Sequence, residues 1–308
     1  MKISKRIVFM GTPETSKIYL QTLLDNNYNI VGVYSQPSRK SGRGMEGRDS
    51  PVSSLAKRNS LPLFNPENFK SHIEIEKFKN LKADLGIVMG YGNILPSTIL
   101  NECNLGFINI HLSLLPKWRG AAPIEYAIIN GEKETGVTIF KLNNKLDAGL
   151  ILGVKKCTIS IHENKDDIMS KVNNIGKNLL IDILPRYISN ELNLFPQIEN
   201  NVSYAPKIKK IDTKINFSET AIKVYNKIRA FAPLPGAWFN FNGERIKILS
   251  CKIIDKKGKA STIISDDFII ACDDNSIKPL TIQREGKRVM KVEDFLLGFR
   301  FSKEDKIY

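Results

Sequence analysis

Three side chains in the first half of this 308-residue chain have the types and spacing to handle a proton and a developing negative charge together. Asn109 and His111 stand two residues apart in the run Phe107-Ile108-Asn109-Ile110-His111-Leu112-Ser113. On a β-strand alternate side chains share a face, so the amide and the imidazole project side by side while Ile108, Ile110 and Leu112 face the other way. Such a pair near a strand's carboxyl end sits where open α/β sheets place their ligands. Asp147 follows in Leu146-Asp147-Ala148-Gly149, after a second apolar run, and a neighbouring strand end could bring its carboxylate to His111 and fix the ring's orientation. Each residue alone also fits a plainer role. A core histidine can be hydrogen-bonded beside an asparagine, and an Asp before a Gly is an ordinary turn residue.

Between these residues lies Ser113-Leu114-Leu115-Pro116-Lys117-Trp118-Arg119-Gly120-Ala121-Ala122-Pro123. It combines apolar anchors with backbone-exposing residues. It could cradle a flat heterocycle through main-chain hydrogen bonds, or simply connect a strand to a helix.

The elements that must position these residues alternate between strand and helix. Arg6–Met10 reads as a buried strand, turned by Gly11-Thr12 into a helix that runs to about Asp25 with Pro13 at its first position. Ile30–Ser35, Asp84–Met89, Phe107–His111 and Val137–Leu142 read as further strands. Ile124–Ile129 is a short helix started by Pro123 and stopped by Gly131. This order predicts an α/β fold with a mostly parallel sheet and helices on its faces. From about Asn190 to Asp212 the chain turns polar, carries Pro196 and Pro206, and holds the cluster Lys207-Ile208-Lys209-Lys210, which reads as a linker. Beyond it come one helical pattern, Glu219 to Arg229, and short strand-like runs at Arg245–Leu249, Thr262–Ile264 and Phe268–Ala271. These are divided by turn signals such as Asn242-Gly243 and predict a small β-rich domain, a barrel in form.

Composition narrows the chemistry further. The net charge is +14, and residues 206–308 hold 21 Lys and Arg against 13 Asp and Glu, whereas residues 1–205 hold 25 against 19. The shorter part is therefore the denser in positive charge, which suits a phosphate-rich partner through counterion release. Cys103, Cys157, Cys251 and Cys272 lie far apart and form no metal-type pair, and only three histidines are present, so no metal is expected. The apolar run Ile7–Met10 is too short for a secretion signal, and no stretch approaches the roughly 20 apolar residues that span a bilayer, so a cytoplasmic protein without a membrane partner is expected. A G-x-G-x-x-G after the first strand, a G-x-x-x-x-G-K-[ST] loop and a G-x-S-x-G elbow are all missing. That argues against dinucleotide, P-loop and serine-hydrolase chemistry.

The run from Asn109 to Ile124, together with Thr135-Gly136-Val137-Thr138 and Leu146-Asp147-Ala148-Gly149, resembles the folate-dependent formyltransferases. The resemblance is strongest to the members that act on methionine carried by tRNA, and it continues past the first domain. Tyr204-Ala205-Pro206-Lys207-Ile208 resembles their linker, Ile228-Arg229-Ala230-Phe231-Ala232-Pro233-Leu234-Pro235-Gly236-Ala237-Trp238 the start of their C-terminal barrel, and Phe295-Leu296-Leu297-Gly298-Phe299-Arg300 its end.

The resemblance implies a Rossmann-like formyltransferase domain over residues 1–189, a linker over 190–209, and a small OB-like β-barrel that binds tRNA over 210–308. It implies transfer of the formyl group of 10-formyltetrahydrofolate to the α-amine of initiator methionyl-tRNA. Asn109 would stabilise the oxyanion, His111 and Asp147 would be the acid–base residues, and Ser113, Leu114, Leu115 and Pro116 would contact the folate. It also implies a monomer.

The loop Gln36–Pro51 carries four basic residues, and Arg43 matches the arginine that engages the tRNA acceptor stem in the resembled proteins. Three departures accompany it. Glu46, Gly47 and Asp49 occupy a stretch that is more basic and apolar in the family, Ser53 stands where a lysine is common, and Leu150 stands where an acidic residue is usual. A formyltransferase for a small amine, a formylfolate hydrolase, and a non-catalytic RNA-binding protein on the same fold are the competing readings.

Overall fold

The computed structural model describes residues 5–40 and 47–307. They form two compact units. The first takes the chain up to Gly120 with Gly136–Cys157 and Val172–Tyr204; the second takes Ala121–Thr135, Thr158–Lys171 and the chain from Ala205 on.

The first unit is built on a seven-stranded sheet. From one edge its order is Ile151–Thr158, Glu134–Lys141, Phe107–His111, Leu85–Met89, Arg6–Gly11, Asn29–Tyr34 and Leu63–Phe64. The pairings from Phe107–His111 through to Leu63–Phe64 are all parallel, and Glu134–Lys141 pairs antiparallel with Phe107–His111. Burial on both faces explains the unbroken apolar runs: Ile7, Val8, Phe9 and Met10 are all fully buried, as expected of a central parallel strand. The parallel strands 6–11, 85–89 and 107–111 end along one border of the sheet. The turns there are tied together, since the Thr12 hydroxyl donates to the carbonyl of Tyr91 (3.1 Å) and the Ser16 hydroxyl to that of Met89 (2.5 Å).

The strand that carries Asn109 and His111 is seated from below by aromatic packing. Phe107 stacks on Phe78 at 6.0 Å between ring centroids, and its ring lies against Gly86 of the adjacent strand, where a β-carbon would come within 2.0 Å of it. The helix after the first strand runs Glu14–Asp25, with Pro13 at its N-cap and not inside the first turn, because the carbonyl of Pro13 already accepts the first helical hydrogen bond, from Lys17 N–H (3.2 Å).

In the second unit Ala237–Phe241, Glu244–Ile254, Ser276–Arg284 and Ile270–Ala271 neighbour one another in that order, with Val289–Lys291 also pairing with Ser276–Arg284. Every pairing among these strands is antiparallel. The strands form a half-barrel, the form that the expected small barrel takes here. Phe217, Phe239, Phe268, Phe295 and Ile248 fill its core together with the apolar side of the Ala221–Phe231 helix. That helix has no cap from its own Thr220 side chain; the Asp274 carboxylate accepts Ala221 N–H instead (2.7 Å). Among the described residues no helix is long and apolar enough to cross a membrane.

Candidate active site

His111 ends its strand with the ring buried to 6% exposure. Its Nε2 lies 2.8 Å from the carbonyl oxygen of Trp118. A carbonyl can only accept, so Nε2 carries the hydrogen and Nδ1 is the nitrogen left to take up or give a proton. Nδ1 points to Asp147, whose Oδ2 is 3.7 Å away, too far for a direct hydrogen bond and close enough for charge to act. The same Oδ2 accepts the backbone N–H of Gly120 at 2.8 Å, so the carboxylate is held in place by the residue two beyond Trp118.

Asn109 lies two residues before His111 on the same strand and is half-buried, while Ile108 and Ile110 are buried on the opposite face. No described residue hydrogen-bonds its side-chain amide, so the amide is available to a substrate atom. The strand from Glu134 to Lys141 sets the remaining geometry. It runs antiparallel, pairing Ile108 with Lys141 and His111 with Thr138, so Asp147 arrives on a return turn and not from the carboxyl end of a parallel neighbour. That turn is tight. Lys141 N–H donates to the carbonyl of Leu150 (2.8 Å), and a β-carbon on Gly149 would sit 1.6 Å from the carbonyl of Lys141, so only glycine fits there. Asp147 itself is left-handed, with φ +47°.

The segment after His111 is pinned from the same strand. The Thr138 hydroxyl donates to the carbonyl of Ser113 (2.7 Å) and accepts Leu115 N–H (3.1 Å), and the Ser113 hydroxyl donates to the carbonyl of Lys117 (2.6 Å). Ser113 and Leu115 are therefore buried, whereas Leu114 and Pro116 are half-buried and present surface.

Sequence reasoning gave no role to Thr138, Arg119, Gln197 or Ser203. Arg119 is buried and directs Nε and Nη2 to Oε1 of Gln197, at 3.2 and 2.7 Å. Gln197 donates to the carbonyls of Asp147 (2.8 Å) and Gly149 (3.0 Å). The Ser203 hydroxyl accepts Trp118 N–H at 2.9 Å. Thr138 lies on the apolar strand Glu134–Lys141, where a polar residue is a usable signal, and Arg119 lies in the motif loop that follows Ser113. Gln197 and Ser203 sit in a polar stretch that carries none.

Arg43 and Glu46 lie outside the described residues; the flanking backbone pairs Arg39 with Arg48 and Lys40 with Gly47. The departure at Asp49 is locally compensated. Lys57 donates to one carboxylate oxygen (2.6 Å) and Ser38 to the other (3.2 Å), and the Lys57 contact holds the Asp49 carboxyl below its ordinary range. Ser53 is buried, and its hydroxyl accepts from the Ser50 hydroxyl (3.1 Å) and from the Asn65 amide (3.2 Å), two bonds that a lysine there would lose. Leu150 stays exposed at the edge of the Asp147 turn.

Residues 5–184 match the formyl transferase family, and residues 207–300 match the formyl transferase C-terminal domain. The methionyl-tRNA formyltransferase of Rhizobium leguminosarum bv. trifolii is 38% identical over 301 residues, covering 96% of this chain and 97% of its own. That of Pelagibacter ubique is 38% identical over 307 residues, covering 99% of each. Among solved structures, an N-formyltransferase from Helicobacter canadensis in complex with folinic acid and dTDP-3-aminofucose superposes with a TM-score of 0.68 at 23% identity, over 91% of this chain and 99% of its own. HypX from Aquifex aeolicus in complex with tetrahydrofolic acid does so with a TM-score of 0.65 at 16% identity, over 94% of this chain and 46% of its own. The last two likenesses are likenesses of fold.

Proposed function

The chain belongs to the formyl transferase family, and from that premise we propose that it moves the formyl group of 10-formyltetrahydrofolate onto the free α-amine of initiator methionyl-tRNA. The observation that carries this reading is the likeness to methionyl-tRNA formyltransferases along nearly the whole chain, the C-terminal unit included. A phosphate-rich acceptor gives the net positive charge of residues 206–308 a use that a small amine does not.

The residues at the strand end fit such a substrate pair. The nucleophile is an α-amine with a reference pKa of about 7.7–8.0, so part of it is neutral near pH 7 and no covalent enzyme intermediate is needed. As the amine adds to the formyl carbon, negative charge builds on the formyl oxygen. The Asn109 amide, which has no partner among the described residues, is the donor for that charge. The amine must shed a proton, and the folate nitrogen must gain one before it leaves. His111 Nδ1, freed for this by the Nε2–H bond to Trp118, is the atom through which the proton passes, with the Asp147 carboxylate 3.7 Å away to stabilise it. Leu114 and Pro116 offer the half-buried apolar surface for the folate ring, and Ser113 and Leu115 hold that surface in place from behind.

In this reading residues 1–189 carry the chemistry, 190–209 link, and 210–308 bind tRNA, with Arg43 at the acceptor stem. The protein acts as a monomer in the cytoplasm. The test is formyl transfer to initiator Met-tRNA, elongator Met-tRNA and a nucleotide-linked amino sugar under one set of conditions. Transfer to the initiator at least ten times faster than to the others supports the reading; equal rates on the two tRNAs, or preference for the sugar, overturn it.

A further inference from the structure

We propose that Gln197 is the positioning residue of the His111–Asp147 pair, locking the turn that carries Asp147 to the turn that carries the hydrogen-bond partner of His111. The proposal rests on the reading above, in which His111 and Asp147 handle the proton.

Two turns determine the geometry of the pair. One holds Trp118, Arg119 and Gly120, which supply the carbonyl bonded to His111 Nε2 and the N–H bonded to Asp147 Oδ2. The other holds Asp147 and Gly149. Trp118 and Asp147 are both left-handed, φ +62° and +47°, conformations that a residue with a side chain keeps only when its surroundings fix it. The side chain of Gln197 joins the two. Both amide hydrogens go to one turn, at the carbonyls of Asp147 and Gly149 (2.8 and 3.0 Å). The amide oxygen takes two donors from the other turn, Nε and Nη2 of Arg119 (3.2 and 2.7 Å). Its hydrogen-bonding capacity is thereby filled, and at 9% exposure water has little access to replace any of these bonds. Ser203, six residues on, grips the first turn again: its hydroxyl accepts Trp118 N–H and its carbonyl accepts Arg119 N–H, each at 2.9 Å. Glu199, between them, reaches Arg119 at 3.1 Å with a carboxylate 70% exposed and touches neither turn's backbone.

The amide is the only neutral side chain of this length that can donate to two carbonyls and accept from a guanidinium at once. Gln197→Glu keeps the acceptor for Arg119 and removes both donors to the Asp147 turn, so it separates positioning from simple packing. Gln197→Met is isosteric and removes both halves.

The experiment measures kcat, KM for Met-tRNA and for the folate, and the pH dependence of kcat for wild type, Gln197→Glu, Gln197→Met and Glu199→Gln. The expected result is a fall in kcat of about tenfold or more in both Gln197 variants, KM values within about threefold of wild type, and a displaced limb in the pH profile, with Glu199→Gln unchanged. Because the folded fraction itself changes with pH, it is measured by circular dichroism at each pH and kcat is expressed per folded molecule, so the profile reports even where a variant is partly unfolded. A wild-type profile and kcat per folded molecule in either Gln197 variant overturns the proposal. Failure of the wild type itself to formylate Met-tRNA would overturn the functional reading instead, and so is distinguishable.

Discussion

Asp147 and Phe268 share an uncommon backbone state, left-handed at φ +47° and +60°, and their side chains meet different surroundings. Phe268 is fully buried, with ring centroids of Phe239, Phe295, Phe299 and Phe301 between 5.1 and 6.5 Å from its own. Asp147 is fixed by hydrogen bonds: Gly120 holds its carboxylate and Gln197 its carbonyl, and its side chain keeps 12% of its surface exposed. Each conformation costs about 1–3 kcal/mol locally and persists because its surroundings over-determine it. In the C-terminal unit the compensation is apolar burial, which sets stability. In the N-terminal unit it is directional bonding, which sets the position of one carboxylate relative to one imidazole.

The contrast can be broken by exchange of consequences. Phe268→Ala should give the largest change, a loss of about 3–5 kcal/mol of stability from the cavity left among four rings. Denaturant unfolding followed by the fluorescence of Trp238, which lies on the Ala237–Phe241 strand, would measure it. The folded fraction should keep kcat within about threefold at saturating Met-tRNA. A stable Phe268→Ala protein would show that the ring cluster is not what holds the residue. Asp147→Ala and His111→Ala should do the reverse, lowering turnover at least about 100-fold, or about 2.7 kcal/mol of barrier, with a smaller loss of stability than Phe268→Ala. Turnover close to wild type in either would remove that residue from the chemistry.

A smaller effect sharpens the comparison within the C-terminal unit. Asp274 supplies the cap that Thr220 does not, and the Ala221 N–H bond holds the Asp274 carboxyl below its ordinary range. A lowered carboxyl contributes stability that is present above its unfolded pKa, about 4, and lost as pH falls through the folded value. Asp274→Ala should therefore cost about 1 kcal/mol at pH 7, and the gap to wild type should close in strong acid. Equal gaps at pH 7 and pH 3 would assign the loss to packing.

Much of the site was legible because its signals are local. The Phe107–His111 strand has the limits its apolar alternation predicts, and Pro123 starts the helix that ends at Ile129. Asn242 and Gly243, both left-handed, form the hairpin turn their types announce. Other elements carry contrary signals. Pro279 argues against a strand, yet Ser276–Arg284 is one, with Pro279 opposite Cys251 where the register shifts at a bulge. Ile151–Thr158 is an edge strand whose Lys155 and Lys156 are exposed, so it lacks an apolar run. Pro185 obscures the helix Lys165–Ile188. Gln197 and Ser203 were illegible for a different reason. Their partners lie 48 to 85 residues away, and their polar neighbourhood reads as connection. The left-handed turn at Trp118 belongs to the same class, because that residue type does not favour the conformation and only the tertiary bonds impose it, whereas an Asp at position 147 is a type that tolerates it.

The most direct measurement is a single-turnover assay with saturating enzyme, labelled 10-formyltetrahydrofolate and initiator Met-tRNA, run on wild type and on His111→Ala. The account predicts label on the methionine amine with wild type and a first-order rate lower by at least about 100-fold with the variant. Equal rates for the two proteins, or label released as free formate with no transfer to the tRNA, would contradict it.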